Sequence, residues 1–585
     1  HPNASGIQLD ANSTGWLHDN SIENSERGIQ IRVGSVAQLQ RNTFTSIDYA
    51  GIQVEQNSTA EIGDKPDGDG ESRGNVFSGP FETGVEVSDN SHVRLMGNSI
   101  KCYSNTGVTV RDASSVELGV DWDRADLNDV SDPLHYSHSL YATSKLGYGN
   151  LIDGAACSGG NRDDWQKGVR VENSSTIEMS RNIIKNNSED GVRTEVQSSI
   201  ILRGGNEIRD NKGDGFEING STLQQSSWSQ EHEPNVVENN GRDAFNINSS
   251  ELHLRGGWVS NDETISKARK FIISGHRRGI AAHRKSSITL ERVEIKNNSE
   301  TGIDLYDGSS LNIWFDRDDE TADDGILISG NGIASDPQDH DPGLRIQGGS
   351  TVSFDFLRVE GNGRGIVVRN NSQINGGWTA SQSSQLTYGL VLKDNKREAL
   401  KIEENSSANL NYVQIENNSI DEITNDGDTW RDDTIRVQES SVLELSHSSI
   451  VDNNDTVLDI SGQSHADLYD LKFENNEGYH AIQIDSSDLY LQGANSDDDN
   501  AVYKSPLVIS GHKSAISASN GSRVALQRVE ISNNTHRGIQ ISENSILNVW
   551  SGGLTLSKNG LENDGWDGFG PALEINHNSS ASVNL

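Results

Sequence analysis

Nine basic residues crowd one stretch of this chain: Lys267, Arg269, Lys270, His276, Arg277, Arg278, His283, Arg284 and Lys285. The chain otherwise carries 87 acidic against 48 basic residues, a formal net charge of −39, so the patch stands out against its field. Arg, Lys and His set together can neutralise a carboxylate and move the proton next to it. The leading reading assigns no catalytic residue; His276, Arg278 and Arg284 are the candidate catalytic groups only if the chain is an enzyme. Arg277 is the candidate ligand-binding cation, with Trp258 and Trp314 as aromatic platforms. Against catalysis, a later copy of this stretch keeps only His512 and Lys513, and Arg278, Arg284 and Lys285 align there with Ser514, Asn520 and Gly521.

A second chemistry belongs to the acidic loops. The segments beginning "DKPDGDGES" at Asp64 and "DRDDETADD" at Asp316 place carboxylates at spacings suited to calcium, which takes six to eight oxygens. Asp64, Asp67, Asp69, Asp316, Asp318, Asp319, Asp323 and Asp324 are the expected ligands. Calcium is the one expected cofactor, although no complete EF-hand pattern is present. The two cysteines, Cys102 and Cys157, exclude a disulfide-dense scaffold and a Cys-based zinc ribbon. Ser–His–Asp triads, phosphate-cradling Gly loops and HExxH are absent from the sequence.

The elements that must position these residues are legible as a repeat. A small residue followed by an apolar–polar–apolar triplet recurs 20 times, from Gly6 (GIQL) through Gly191 (GVRT) and Gly302 (GIDL) to Ala572 (ALEI). Many gaps are 22 to 24 residues, most others 33 to 35, and the longest, Gly107 to Gly168, is 61. Each short gap holds a Ser-bearing turn, a second alternating stretch, and a third ending in Asn. Alternation marks strands with one buried face, and Asn and Gly corners tolerate left-handed backbone. Three short strands per turn predict an all-β, right-handed parallel β-helix solenoid of about 20 rungs, with acidic insertions at its corners. At about 4.8 Å per rung that is a rod on the order of 100 Å. Cys102 and Cys157 then fall on consecutive rungs, within reach of a disulfide.

The pattern resembles the pectate-lyase-like β-helix superfamily over essentially the whole chain. That resemblance implies lyases, epimerases and hydrolases of acidic polysaccharides. The motifs that would carry their chemistry, RxPxxR, WxDH and the ordered NTD, DD, GHG and RxK set, are missing.

Ile288–Trp314 and Val524–Trp550 share 13 identities in 27 positions. One continuous β-helix over 1–585 is therefore expected, with an eight-rung block at 244–480 and a partial second copy at 481–585. Rungs with a long insertion at 111–167 precede them. Hydrophobic residues at 32% suit a thin core refilled on every rung. The acidic surface repels nucleic acid, and no apolar run is long enough to span a bilayer. Block duplication lengthens an array rather than sharpening one catalytic centre. The leading expectation is a non-enzymatic, extracellular or cell-surface, adhesin-like filament protein that self-associates end to end or side by side. A polysaccharide partner remains the alternative, through an enzyme centred on Arg277. Uncapped sequence at Leu585 fits a piece of a longer array. Sequons such as those at Asn57, Asn173 and Asn297 are what an Asn corner followed by a Ser turn spells anyway.

Overall fold

A computed structural model describes residues 4–63, 74–119, 149–155, 165–225, 234–256, 270–314, 325–334, 337–377, 388–421, 423–425, 428–430, 432–476, 478–494, 502–503, 506–550, 552–560 and 570–583. These divide into two compact units, His1–Ala282 with Ser286–Ile288, and His283–Lys285 with Thr289–Leu585. Almost all the regular structure is parallel strand. Among the described residues the exceptions are one antiparallel pair at Ile423–Asn425 and Asp428–Trp430, and a short 3-10 turn at Pro337–Asp339.

In the first unit the triplet strands stack in strict register. Ile7, Ile29, Ile52, Val85, Val108, Val169, Val192, Phe216 and Phe245 form one column. The second strands stack Leu17, Leu39, Ile62, Leu95, Leu118, Met179 and Leu202. The third strands stack Ile22, Phe44, Phe77, Ile100, Ile152, Ile184, Ile208, Val237 and Ile273. The 61-residue gap leaves the column intact, because Val108 pairs with Val169 as any neighbours would. In the second unit the triplet column runs Ile303, Leu344, Ile366, Leu400, Ile435, Leu458, Ile482, Ile516, Ile539 and Leu573. Each unit is thus a three-sided parallel coil with alternate side chains inside. Except at the column ends, where Ile7, Leu17 and Leu573 are half-buried, the inward aliphatics are buried, and each contributes on the order of 1.5–3 kcal/mol of transfer free energy. Phenylalanines stack rung on rung, Phe44 on Phe77 at 4.6 Å and Phe216 on Phe245 at 4.9 Å.

The corners hold the polar half of the design. Asn20, Asn42, Asn75, Asn98, Asn150, Asn182, Asn206 and Asn235 form a ladder. In it, the backbone N–H and Nδ2 of each donate to Oδ1 of the next at 2.8–3.1 Å. A second ladder in this unit runs Asn187, Asn211, Asn240 and His276. Its counterpart in the second unit runs from Asn298 through Asn331, Asn362, Asn395, Asn418 and Asn453 to Asn476. Serines repeat the device before the second strands, as Ser35 to Ser58 and Ser58 to Ser91. The "NN" pairs therefore divide their labour. The first Asn takes left-handed backbone, as Asn186 (φ 59°) and Asn297 (φ 54°) do, and the second is the buried ladder member.

Two expectations about glycine and Asn need refining. Left-handed corners also accept Val33, Arg41, Arg181 and His447, because the rung stack overrides their own preference. Triplet glycines, by contrast, lack positive φ and are small for closeness. A Cβ on Gly51 would lie 2.7 Å from both the Gly84 carbonyl and the Phe77 ring.

The ladders yield a prediction. Asn182→Ala removes Oδ1 from two donors of Asn150 and takes from the Leu118 carbonyl one of its two donors, leaving it the Ser180 N–H. The variant is expected to lose about 3 kcal/mol, from unmet buried groups and a small cavity, in equilibrium urea unfolding of the full chain. A loss under about 0.5 kcal/mol would show that the ladder is ornamental.

Candidate functional site

The outward side of the triplet strands carries the ionisable groups that could do chemistry. The residue just before the triplet stacks in its own column: the N–H groups of Gly168, Gly191 and Gly215 donate to the carbonyls of Asp190, Asp214 and Asp243 one rung on. In the first unit this column reads Lys167, Asp190, Asp214, Asp243, Arg278. All three aspartates are buried. Asp190 Oδ1 accepts the N–H of Asp214 at 2.8 Å, and Asp214 Oδ1 accepts that of Asp243 at 2.9 Å. Asp243 is gripped by Arg278 through Nε at 3.0 Å and Nη2 at 2.7 Å, with Arg277 at 3.3 Å. Lys167 pairs with Glu189, and Arg193 bridges Glu195 at 2.6 Å and Glu217 at 3.0 Å.

Burial first, then the charge of Asp214 and a hydrogen bond shared with Glu217, pushes Asp190 up to about 8. Burial, then Asp243, pushes Asp214 up to about 6. Near neutrality Asp190 holds a proton while Asp214 is largely ionised, a carboxylic acid beside a carboxylate on the next rung. Asp190 Oδ2 has no hydrogen-bond partner, and the Arg193 guanidinium stands 3.9 Å from it.

The second unit repeats the theme with other residues. Glu398, buried, faces Arg364 Nε at 3.1 Å and Arg436 Nη1 at 3.7 Å, while Arg397 pairs with Asp432. Arg436 also meets Asp433 at 2.7 Å. Burial pushes Asp433 up to about 7, outweighing Arg436 beside it. Burial, then the neighbouring Arg397, holds Arg364 below the ordinary arginine range, whereas Arg345 is held above it by Asp304 and Asp341.

The sequence-predicted residues distribute unevenly over this map. His276 is buried as a ladder member, with Nδ1 accepting the Asn240 N–H at 3.2 Å and Nε2 meeting the Val237 carbonyl at 3.0 Å. Burial lowers its pKa, so it stays neutral. Arg277 and Arg278 converge on Asp243, but Arg284 lies exposed in a left-handed turn at the far end of the same strand, Arg278–His283. His283 stacks on Tyr306 at 4.8 Å. Trp314, of the second unit, is 62% exposed, as Trp550 is at 52%. Trp258, Lys267 and Arg269 lie outside the described residues, as do Asp64, Asp67, Asp69, Asp316, Asp318, Asp319, Asp323 and Asp324. Among the described residues no group of three or more His, Cys, Asp or Glu could hold a metal ion. Cys102 is disulfide-bonded, and Cys157 is outside the described residues. No described helix is long and apolar enough to cross a membrane.

Sequence reasoning passed over Asp190, Asp214 and Asp243. The signal for them was an acid directly before the small residue of three successive triplets, "DGV", "DGF" and "DAF".

Residues 167–336 match the family model described as the right handed beta helix region. With the parallel register above, this makes the fold a right-handed parallel β-helix. No curated protein matches the chain in sequence. Among solved structures, the PL6 family alginate lyase AlyGC is 10% identical, with a TM-score of 0.20 covering 100% of this chain and 97% of its own. The Agl-KA catalytic domain is 11% identical, with a TM-score of 0.13 covering 95% of this chain and 62% of its own.

The proton on Asp190 has a thermodynamic signature. Its folded pKa lies above the unfolded one, so the folded state binds more protons between about pH 4 and 8 and stability falls as pH rises through that window. Asp190→Asn keeps the acceptor for Asp214 and supplies N–H toward Glu217. It is expected to unfold at least about 1 kcal/mol harder than the parent at pH 8, and to lose that advantage near pH 4. Equal destabilisation at both pH values would contradict a protonated Asp190.

Proposed function

We propose that this chain is a non-enzymatic, extracellular β-helical scaffold, an adhesin-like surface or filament protein that self-associates and offers its faces to other molecules. One observation carries the reading. The groups best suited to catalysis are committed elsewhere, His276 to backbone at both ring nitrogens and Arg277 and Arg278 to one buried carboxylate. Such an arrangement rigidifies a rung and leaves none of these three groups free to meet a substrate carboxylate. Incubation with alginate or pectate, followed by the ultraviolet absorbance of unsaturated product, is expected to show no turnover. Turnover abolished by Arg278→Ala would reverse the ranking.

The second reading, a lyase, epimerase or hydrolase of an acidic polysaccharide, is favoured by the Asp190–Asp214 pair. A protonated acid one rung from a carboxylate is what general acid–base chemistry on a glycan requires. Loss of any observed turnover in Asp190→Asn would place the chemistry there.

Calcium in the acidic corner loops is part of the proposal, supported by their composition and by the net charge it would offset. Sedimentation velocity over a concentration series should show association, and EDTA should lower both association and the melting midpoint. A strictly monomeric chain with an EDTA-insensitive midpoint would remove self-association and calcium together.

A further inference from the structure

The duplicated block supplies an internal comparison. Ser510–Gly511–His512 repeats the motif Ser274–Gly275–His276. His276 has both ring nitrogens bonded, whereas His512, 0% exposed, has a partner on neither Nδ1 nor Nε2. Ser514 Oγ, on a side chain that is also 0% exposed, and His480 Nδ1 are buried without partners beside it. The three groups belong together. His480, Ser514 and Arg537 occupy one register column on successive rungs, and His512 lies two residues before Ser514.

The surroundings are cationic. Lys513 Nζ lies 5.1 Å over the ring of Tyr479, which is edge-on to His480 at 4.7 Å and tilted toward His536 at 6.5 Å. The carboxylates nearby are engaged: Glu574 holds Arg537 at 2.7 Å, and Asp455 on the preceding rung accepts the Thr456 N–H at 2.6 Å. Each buried polar group left unmatched costs about 1–3 kcal/mol, so the cluster is incomplete as it stands. An acceptor-only ligand with several oxygens completes it, because imidazolium, hydroxyl and ammonium groups are all donors.

We propose that His480, His512, Ser514 and Lys513 form a binding site for a small oxyanion, a carboxylate or sulfate group, whose uptake is coupled to protonation of the histidines. Burial, then Arg537, holds His480 down to about 4, and burial, then His480, does the same to His512. A negative charge between them opposes these causes and draws protons in. Affinity therefore rises as pH falls, by up to about tenfold per pH unit for each proton taken up.

The test is calorimetric titration of the full chain with sodium sulfate and with sodium acetate, at pH 7.0 and 5.5, in chloride buffers of matched ionic strength. Saturable binding is expected, at least about tenfold tighter at pH 5.5. The heat should vary with buffer ionisation enthalpy as protons are absorbed. Lys513→Gln, at an exposed position that leaves the fold alone, and Ser514→Ala should each weaken binding several-fold. Saturation by acetate alone supports a carboxylate site, and saturation by sulfate alone a sulfate-ester site. Absence of saturation with both anions, or affinities unchanged in both variants, would overturn the proposal.

Discussion

One constraint governs the molecule: each rung lies about 4.8 Å above the last, so a polar group buried in one rung must find its partner in the next. Side-chain amides, hydroxyls and carboxyls all meet it in the same way, by reaching one rung along to a backbone N–H. Asn182, Ser58 and Asp190 do this at three different corners of the coil. A chain with only 32% hydrophobic residues can hold such a fold because the ladders replace apolar bulk at the corners. The core then needs only one layer of aliphatics from each strand.

The same constraint explains the character of the triplet face. An Asp before the triplet satisfies the next N–H, but it brings a charge into a buried column. At Asp243 the two guanidinium groups of Arg278 and Arg277 pair with the buried carboxylate. At Asp190, where the nearest arginine, Arg193, stands 3.9 Å away, burial and the charge of Asp214 favour the protonated acid. A buried ion pair adds little net stability, but removing one partner leaves a costly charge behind. The face is therefore mutually locked.

Duplication gave two versions of one corner with different outcomes. In the first, His276 takes the place of Asn and serves the ladder at both nitrogens. In the second, His512 interrupts an Asn column between Asn476 and Asn534, with its ring unmatched. Sequence identity of the motif conceals this difference, since the partners sit a full rung away. Local copies of a solenoid can thus drift toward binding without any change of fold.

The strands, their registers and the inward columns were legible in the sequence, because a period-two alternation repeated every rung is a local signal. Gly–Ile–x–Val phrases such as those at Gly28 and Gly51 needed no tertiary information to be placed above one another. The identity of the groups that share a site was not legible. Arg278 and Asp243 are 35 residues apart, and no local pattern says which acid a given arginine will meet. His276 read as part of a basic patch although its Gly–His corner is a variant of the Asn–Asn one. Charge state was equally hidden, for the proton on Asp190 follows from burial and from Asp214 one rung away. The amino-acid order alone thus determined the coil, since strand periodicity and corner chemistry act over a few residues. Only the stacking of rungs decided which polar groups are paired, protonated or left waiting for a ligand, because those states depend on neighbours that the chain brings back a full turn later.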